Sequence, residues 1–156
     1  MYSNEADLQK NVVKWLNYAL PPNSIFHHSP NEGSNNKVQY YVKQKGLGFK
    51  SGWPDLELFI PGVKPIFIEL KQPGNYPTPR QRNIHQMLLD TGVYCFVARS
   101  IGEIYDYIKD IVPLQTHPYV RGIVFAEETL GGDLRKMKKN KQSEKQRTGK
   151  RSMKST

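Results

Sequence analysis

The chain has 156 residues, a formal net charge of +9 and one cysteine, Cys95. That length buries enough surface for one self-sufficient domain, so folding needs no disulfide or metal staple, and one thiol cannot form an internal disulfide, which fits a reducing, intracellular setting. No run approaches the roughly 18 apolar residues of a membrane span, and the polar N-terminus with Glu5 and Asp7 is unlike a signal peptide, so the expectation is a soluble protein that is not exported.

In chain order, the apolar stripe Leu8, Val12, Trp15, Leu16 and Ala19 predicts a helix over Glu5–Ala19. Asn4 caps it and Pro21-Pro22 stop it. Ile25–His28 reads as a short strand, Asn31–Asn36 as a polar turn around Gly33, and Lys37–Lys45 as a short helix ended by Gly46. Two strands follow, Asp55–Ile60 and Lys64–Leu70, joined by a turn at Pro61-Gly62. After a loop over Gln72–Pro79, a helix runs from Pro79 to Thr91, capped by Thr78, with Ile84, Met87 and Leu88 facing inward and Gly92 closing it. Val93–Ala98 is an apolar strand in which Cys95 reads as a buried structural thiol. Ser100 and Glu103 have capping-box spacing and open a last helix to about Ile111. The apolar segment Tyr119–Phe125 is either an extra strand on its own domain or a contact between two copies.

The positive charge is local. Ten Lys or Arg and one Glu lie from Leu134 onward, which leaves 13 basic and 13 acidic residues before it. The expected division is therefore a domain over residues 1–133 and a basic tail over 134–156, with the boundary near Gly131-Gly132. Such a tail suits a polyanion, most simply nucleic acid; the alternative is a tail that only solubilises. The element order predicts an α/β sandwich around a central mixed sheet flanked by helices.

Strand alternation puts Asp55, Glu57 and Phe59 on one side, and Phe67, Glu69 and Lys71 on one side of the next strand. If the strands pair as a hairpin, the acidic sides converge. Two carboxylates and a backbone carbonyl make an oxygen cage suited to a hard cation such as Mg²⁺. A lysine two residues from a carboxylate reaches the same place and can orient a water or stabilise charge on a phosphate. Glu57 is either a support for this site or an exposed strand residue. His27 and His28 point in opposite directions and read as structural or substrate-facing, not as zinc ligands. Tyr40, Tyr41 and Tyr76 either stack on bases or pack. Lys43, Lys45 and Lys50 flank Gly46-Leu47-Gly48, where they can track phosphates.

Gly52-Trp53-Pro54-Asp55, then Ile68-Glu69-Leu70-Lys71, then Gln81, together with the Pro30-Asn31-Glu32-Gly33 turn and an N-terminal helix bearing Glu5, resemble the VRR-NUC nucleases, a branch of the PD-(D/E)XK superfamily. The resemblance spans roughly Glu5 to Ile111, and the chain's size is like that of the small standalone viral and phage members. It implies a restriction-endonuclease-like fold and Mg²⁺- or Mn²⁺-dependent hydrolysis of DNA phosphodiesters to 5′-phosphate products. It implies that Asp55 and Glu69 bind metal with the Leu70 carbonyl, that Lys71 is catalytic, that Gln81 lies near the active centre and that Glu5 can join the metal. It also implies a homodimer, in the cytoplasm of a bacterium or an infected host cell. One departure stands out: Ser34-Asn35-Asn36-Lys37 replaces an expected arginine, so the phosphate contact there is Lys37 or absent. The basic residues Arg135, Lys136, Lys138 and Lys139 complete the candidate DNA contacts. The preferred DNA geometry is expected among flaps, nicks and four-way junctions. A competing expectation is a non-catalytic basic nucleic-acid-binding protein, although a mere binder has no use for buried carboxylates near phosphates.

Overall fold

The computed structural model describes residues 2–29 and 45–129. Helix α1, Glu5–Ala19, opens where the Asn4 side chain accepts a bond from the Asp7 amide at 2.8 Å. Its stripe of Leu8, Val12, Trp15, Leu16 and Ala19 is buried. Leu20 leaves the helix with ψ 144°, as a residue before proline must.

Strand β1 (Ile25–His28) pairs antiparallel with β2 (Leu56–Phe59), and β2 pairs antiparallel with β3 (Ile66–Leu70) in the register Leu56↔Ile68, Glu57↔Phe67. The turn between β2 and β3 uses Gly62 at φ +76°, a left-handed conformation that glycine adopts without steric cost. Helix α2 (Pro79–Asp90) then carries the chain across to β4 (Tyr94–Ala98), which lies parallel to β3. The sheet order is β1-β2-β3-β4. Helix α3 (Ile101–Ile108) follows, and residues 118–129 form helix α4.

Each sheet face has its own cover. Leu56, Leu58, Ile66, Ile68, Leu70 and Ala98 share one core with α1, α3 and α4. Trp15 is fully buried there, and its indole N–H donates to the Val120 carbonyl at 3.1 Å, so its polar atom is satisfied where its ring is packed. On the opposite face, Phe67 and Glu69 are buried beneath α2, which contributes His85 and Leu88. Every residue of β3 is buried, as a central strand covered on both faces requires.

The expected architecture is the observed one, with three corrections. Met87 is 58% exposed, and His85 takes the inward position instead, because the face beneath α2 holds a carboxylate. Tyr119–Phe125 is not a strand: it lies in α4, with Val120 and Val124 buried in the chain's own core and Phe125 71% exposed. The Glu103 carboxylate accepts from the Arg99 amide at 2.8 Å, one residue before the Ser100 cap that a capping box would use. The turn over Asn31–Asn36, most of the helix over Lys37–Lys45, Tyr40, Tyr41 and the tail from Leu134 lie outside the described residues. Among those described, no helix is long and apolar enough to cross a membrane.

Candidate active site

The antiparallel register of β2 and β3, continued one step, sets Asp55 opposite Glu69. Asp55 sits just before β2, after the buried Pro54, and its Oδ2 accepts the Leu70 amide at 2.7 Å. Its backbone carbonyl receives the Ser29 amide at 3.1 Å and lies 3.0 Å from His28 Nδ1, so β1 braces the same turn. Trp53 lies edge-on to Phe67, 5.8 Å between centroids, and its N–H donates to Glu57 Oε1 at 2.7 Å, an oxygen that also accepts the Ser29 hydroxyl at 2.8 Å. Glu57 is thus a support for the Gly-Trp-Pro-Asp turn.

Glu69 is completely buried. Such a carboxylate needs partners, because desolvating an unpaired charge is costly. Its Oε1 accepts from Lys71 Nζ at 2.8 Å and from the Gln81 amide at 2.5 Å. Its Oε2 lies 3.4 Å from His85 Nε2 without hydrogen-bond alignment, so both atoms are buried without a hydrogen-bond partner among the described residues. Glu5, on the first turn of α1, brings Oε2 to 3.8 Å from Lys71 Nζ and Oε1 to 3.4 Å from the Gln72 amide. The four residues Glu5, Asp55, Glu69 and Lys71 come from three separated parts of the chain and meet at the C-terminal end of β3.

Gln81 has two attachments. Its side-chain oxygen accepts the Thr78 amide at 2.8 Å, and its own amide donates back to Thr78 Oγ1 at 3.3 Å, a capping box. The same side chain's nitrogen holds Glu69. The start of α2 is therefore tied directly to the carboxylate. His85 is the residue that sequence reasoning missed. It lies four residues after Gln81 on the same helix face, and that spacing was the available signal.

Burial works against the Lys71 ammonium, but the hydrogen bond and charge of Glu69, reinforced by Glu5 and Asp55, more than offset it and raise its pKa above the ordinary lysine value. Lys71 stays a cation. Burial, with the Glu69 charge nearby, pushes the half-buried Cys95 thiol up to about 11.

Other expected contacts are dispersed. Lys45 and Lys50 line a cleft beside the start of α2. Tyr76 is 76% exposed, with the Arg99 guanidinium 5.5 Å from its ring centroid. Lys37, Lys43, Arg135, Lys136, Lys138 and Lys139 lie outside the described residues. Among those described, no three His, Cys, Asp or Glu side chains are grouped to hold a metal by themselves. Mg²⁺ does not demand such a trio, since it keeps several waters and uses one or two carboxylates. The donors present fit a hard cation: Glu69 Oε2 is a buried carboxylate oxygen without a hydrogen-bond donor among the described residues, and the register sets Asp55, whose carboxylate is bonded to the Leu70 amide, opposite Glu69.

A four-stranded mixed sheet between helices, with carboxylates and a lysine gathered at its strand ends, defines an α/β fold of the nuclease type. The VRR-NUC domain family model matches residues 2–101, and the chain belongs to that family. It is also similar to a solved structure described as a VRR_NUC domain protein, at 25% identity and a TM-score of 0.54, covering 73% of this chain and 92% of the other. No curated protein matches the chain. Membership implies a nuclease-type function in DNA processing, in a family that generally uses divalent metals.

Proposed function

We propose that the protein is a Mg²⁺- or Mn²⁺-dependent, structure-selective DNA endonuclease. The observation that carries this reading is Glu69. A fully buried carboxylate with one oxygen bonded to Lys71 and Gln81 and the other without a donor among the described residues is unfavourable as a purely structural feature and suited to receiving a cation. Asp55, Glu69 and the Leu70 carbonyl would hold the metal, and Glu5 would join them, a reading supported by its 3.8 Å approach to Lys71 Nζ. A bound divalent cation supplies Lewis acidity toward the phosphate and the attacking water. The chain's own groups do the rest. The Lys71 ammonium offsets charge developing on the phosphate and orients the water. Gln81 holds the Glu69 carboxylate in place. Hydrolysis leaves a 5′-phosphate.

The substrate is an interrupted or branched duplex: a flap, a nick or a four-way junction. Residues 1–133 form the nuclease domain, and the basic segment 134–156 contacts DNA. One domain offers one such site and cuts one strand. A symmetric homodimer would present two sites to the opposed strands of a junction, whose two-fold symmetry it matches. Sedimentation at micromolar concentration tests this: a monomer fully active on junctions refutes the dimer.

The activity is tested by nicking of supercoiled plasmid with Mg²⁺, Mn²⁺ or EDTA. Cleavage is expected only with metal, and Asp55→Asn and Glu69→Gln should abolish it while DNA binding persists. Undiminished cleavage by either folded variant removes the assignment. Metal-dependent DNA binding with no cleavage by the wild type favours the non-catalytic binder.

A further inference from the structure

A cleft of about 420 Å³ opens beside the first turns of α2, a few residues from the carboxylate site. Lys45, Lys50 and Arg80 line it together with Phe49 and Ile84, and no acidic side chain among the described residues does so. Its place is fixed by close packing. Gly52 has φ +87°, and a Cβ there would sit 3.0 Å from Arg80 Cγ and 3.2 Å from the Gln81 nitrogen. The loop carrying Lys50 and Ser51 therefore rests directly on the start of α2, with no room for a side chain between. Arg80 Nη1 donates to Ser51 Oγ at 3.1 Å, which orients the guanidinium while using one arm of its fork. The next residue along the helix is Gln81, which holds Glu69, so cleft and carboxylate site are mechanically one unit.

The lining is of two kinds. Three cations without an acid suit a phosphate. Phe49 and Ile84, both half-buried, contribute nothing to a phosphate, but an aromatic ring with an aliphatic neighbour suits a base, whose flat face stacks on aromatic side chains. The volume falls within the range of about 300–1,000 Å³ typical of small-ligand sites, enough for one nucleotide. Resting on the nuclease reading above, we propose that this cleft takes one unpaired nucleotide of the DNA being cut, its phosphate among Lys45, Lys50 and Arg80 and its base against Phe49 and Ile84. Selection for interrupted duplexes follows, because a fully paired strand cannot offer a base to Phe49.

The test is equilibrium binding of the full chain in EDTA, by fluorescence anisotropy, to a blunt duplex and to the same duplex carrying a short single-stranded flap. The wild type should bind the flapped duplex more tightly. Phe49→Ala should remove about tenfold of that affinity, the scale of one base stack, and leave the salt slope unchanged. Arg80→Ala should lower the slope by roughly 0.7–0.9, one phosphate contact. Phe49→Trp keeps a stacking surface and should keep the preference, which guards against a misfolded alanine variant. Equal affinity of the wild type for both DNAs, equal weakening on both, or a Phe49→Trp variant that behaves like Phe49→Ala would overturn the proposal. Because no metal is present, this outcome is independent of plasmid nicking: the preference can stand where cleavage fails, and cleavage can stand where the preference fails.

Discussion

Among the described residues, Glu69 accepts two hydrogen bonds on one oxygen and none on the other, so each neighbour should have a distinguishable effect when changed. Gln81→Ala removes the side-chain half of the capping box and a carboxylate partner together, and leaves the Thr78 cap itself in place. It should cost about 0.5–1.5 kcal/mol of stability, the scale of one hydrogen bond, and slow cleavage as well. Gln81→Glu keeps one role and inverts the other: Glu also serves at the third helical position of a capping box, so the Thr78 amide keeps its acceptor, while a second carboxylate against the buried Glu69 costs stability and slows cleavage. Thermal unfolding beside plasmid nicking reads both, and a Gln81→Glu variant with full activity would show that the contact to Glu69 is incidental. His85→Phe keeps the ring volume and removes Nε2. The metal concentration needed for half-maximal cleavage should rise by about tenfold, the scale for a group supporting a metal ligand, and direct titration of metal binding by calorimetry should shift likewise. An unchanged metal requirement would make His85 packing alone. Cys95 gives a pH-dependent prediction. Burial raises its pKa to about 11, so near pH 8 it holds about a hundredfold less thiolate than an ordinary cysteine, and alkylation of the native protein should be slow and speed up on unfolding. The convergence of Asp55, Glu69 and Lys71 was legible because strand alternation puts them on facing sides, whereas Gln81 was named only through the family resemblance. His85 was not legible, because its one cue was the four-residue spacing from Gln81, and a histidine between Ile84 and Gln86 acquires a role only from the carboxylate across from it.

At the level of elements, the legible parts were those whose signals are local. The stripe, cap and proline stop of α1 all lie within its own sequence, and its observed bounds are those expected. The last helix was not legible. Tyr119–Phe125 is rich in β-branched and aromatic residues and interrupted by Gly122, which favours a strand reading; the deciding fact is that Val120 and Val124 fill the space beside Trp15 and α3, a tertiary effect. Helix α4 also carries Glu127, whose carboxylate accepts the Ile101 and Gly102 amides at 3.2 and 2.6 Å and the Tyr2 hydroxyl. A carboxylate on the N-terminal amides of α3 meets unsatisfied donors and the positive end of the helix dipole, so Glu127→Ala should cost about 1–2 kcal/mol in denaturant unfolding, and a change near zero would contradict the contact. Burial, the hydrogen bond to Glu127 and its charge raise the Tyr2 phenol's pKa well above the usual value. A group whose folded pKa is raised adds stability below its unfolded pKa and loses it as pH climbs above that value. The decline in stability above about pH 10 should therefore be shallower in Tyr2→Phe, measured by unfolding at pH 8 to 11; identical slopes would show that Tyr2 does not titrate in this way.

The whole molecule is electrically divided: acid and base balance through Asp133, and the excess of +9 lies after it. That division makes the tail testable apart from the fold. The folded part reaches at least to Glu127, which holds the start of α3, and Val124 belongs to the core, so a truncation earlier than about residue 130 removes structure along with charge. Deleting Arg135–Thr156 leaves those interactions intact and removes ten basic residues. The melting temperature should hardly move, and the carboxylate site should keep its metal-dependent activity at low salt. DNA affinity should fall, and its salt dependence should flatten, because each neutralised phosphate contributes about 0.9 to the slope of log K against log salt on B-DNA. If the tail neutralises about five phosphates, its removal reduces the slope by about 4.5, far more than any single substitution in the cleft beside α2. Since counterion release weakens as salt rises, the affinity gap between full-length and truncated chains should be widest at about 50 mM and narrow by 200 mM. A truncated chain with the full-length slope would show that the basic segment does not touch DNA, and would leave the charges of the folded domain as the whole of the electrostatic attraction.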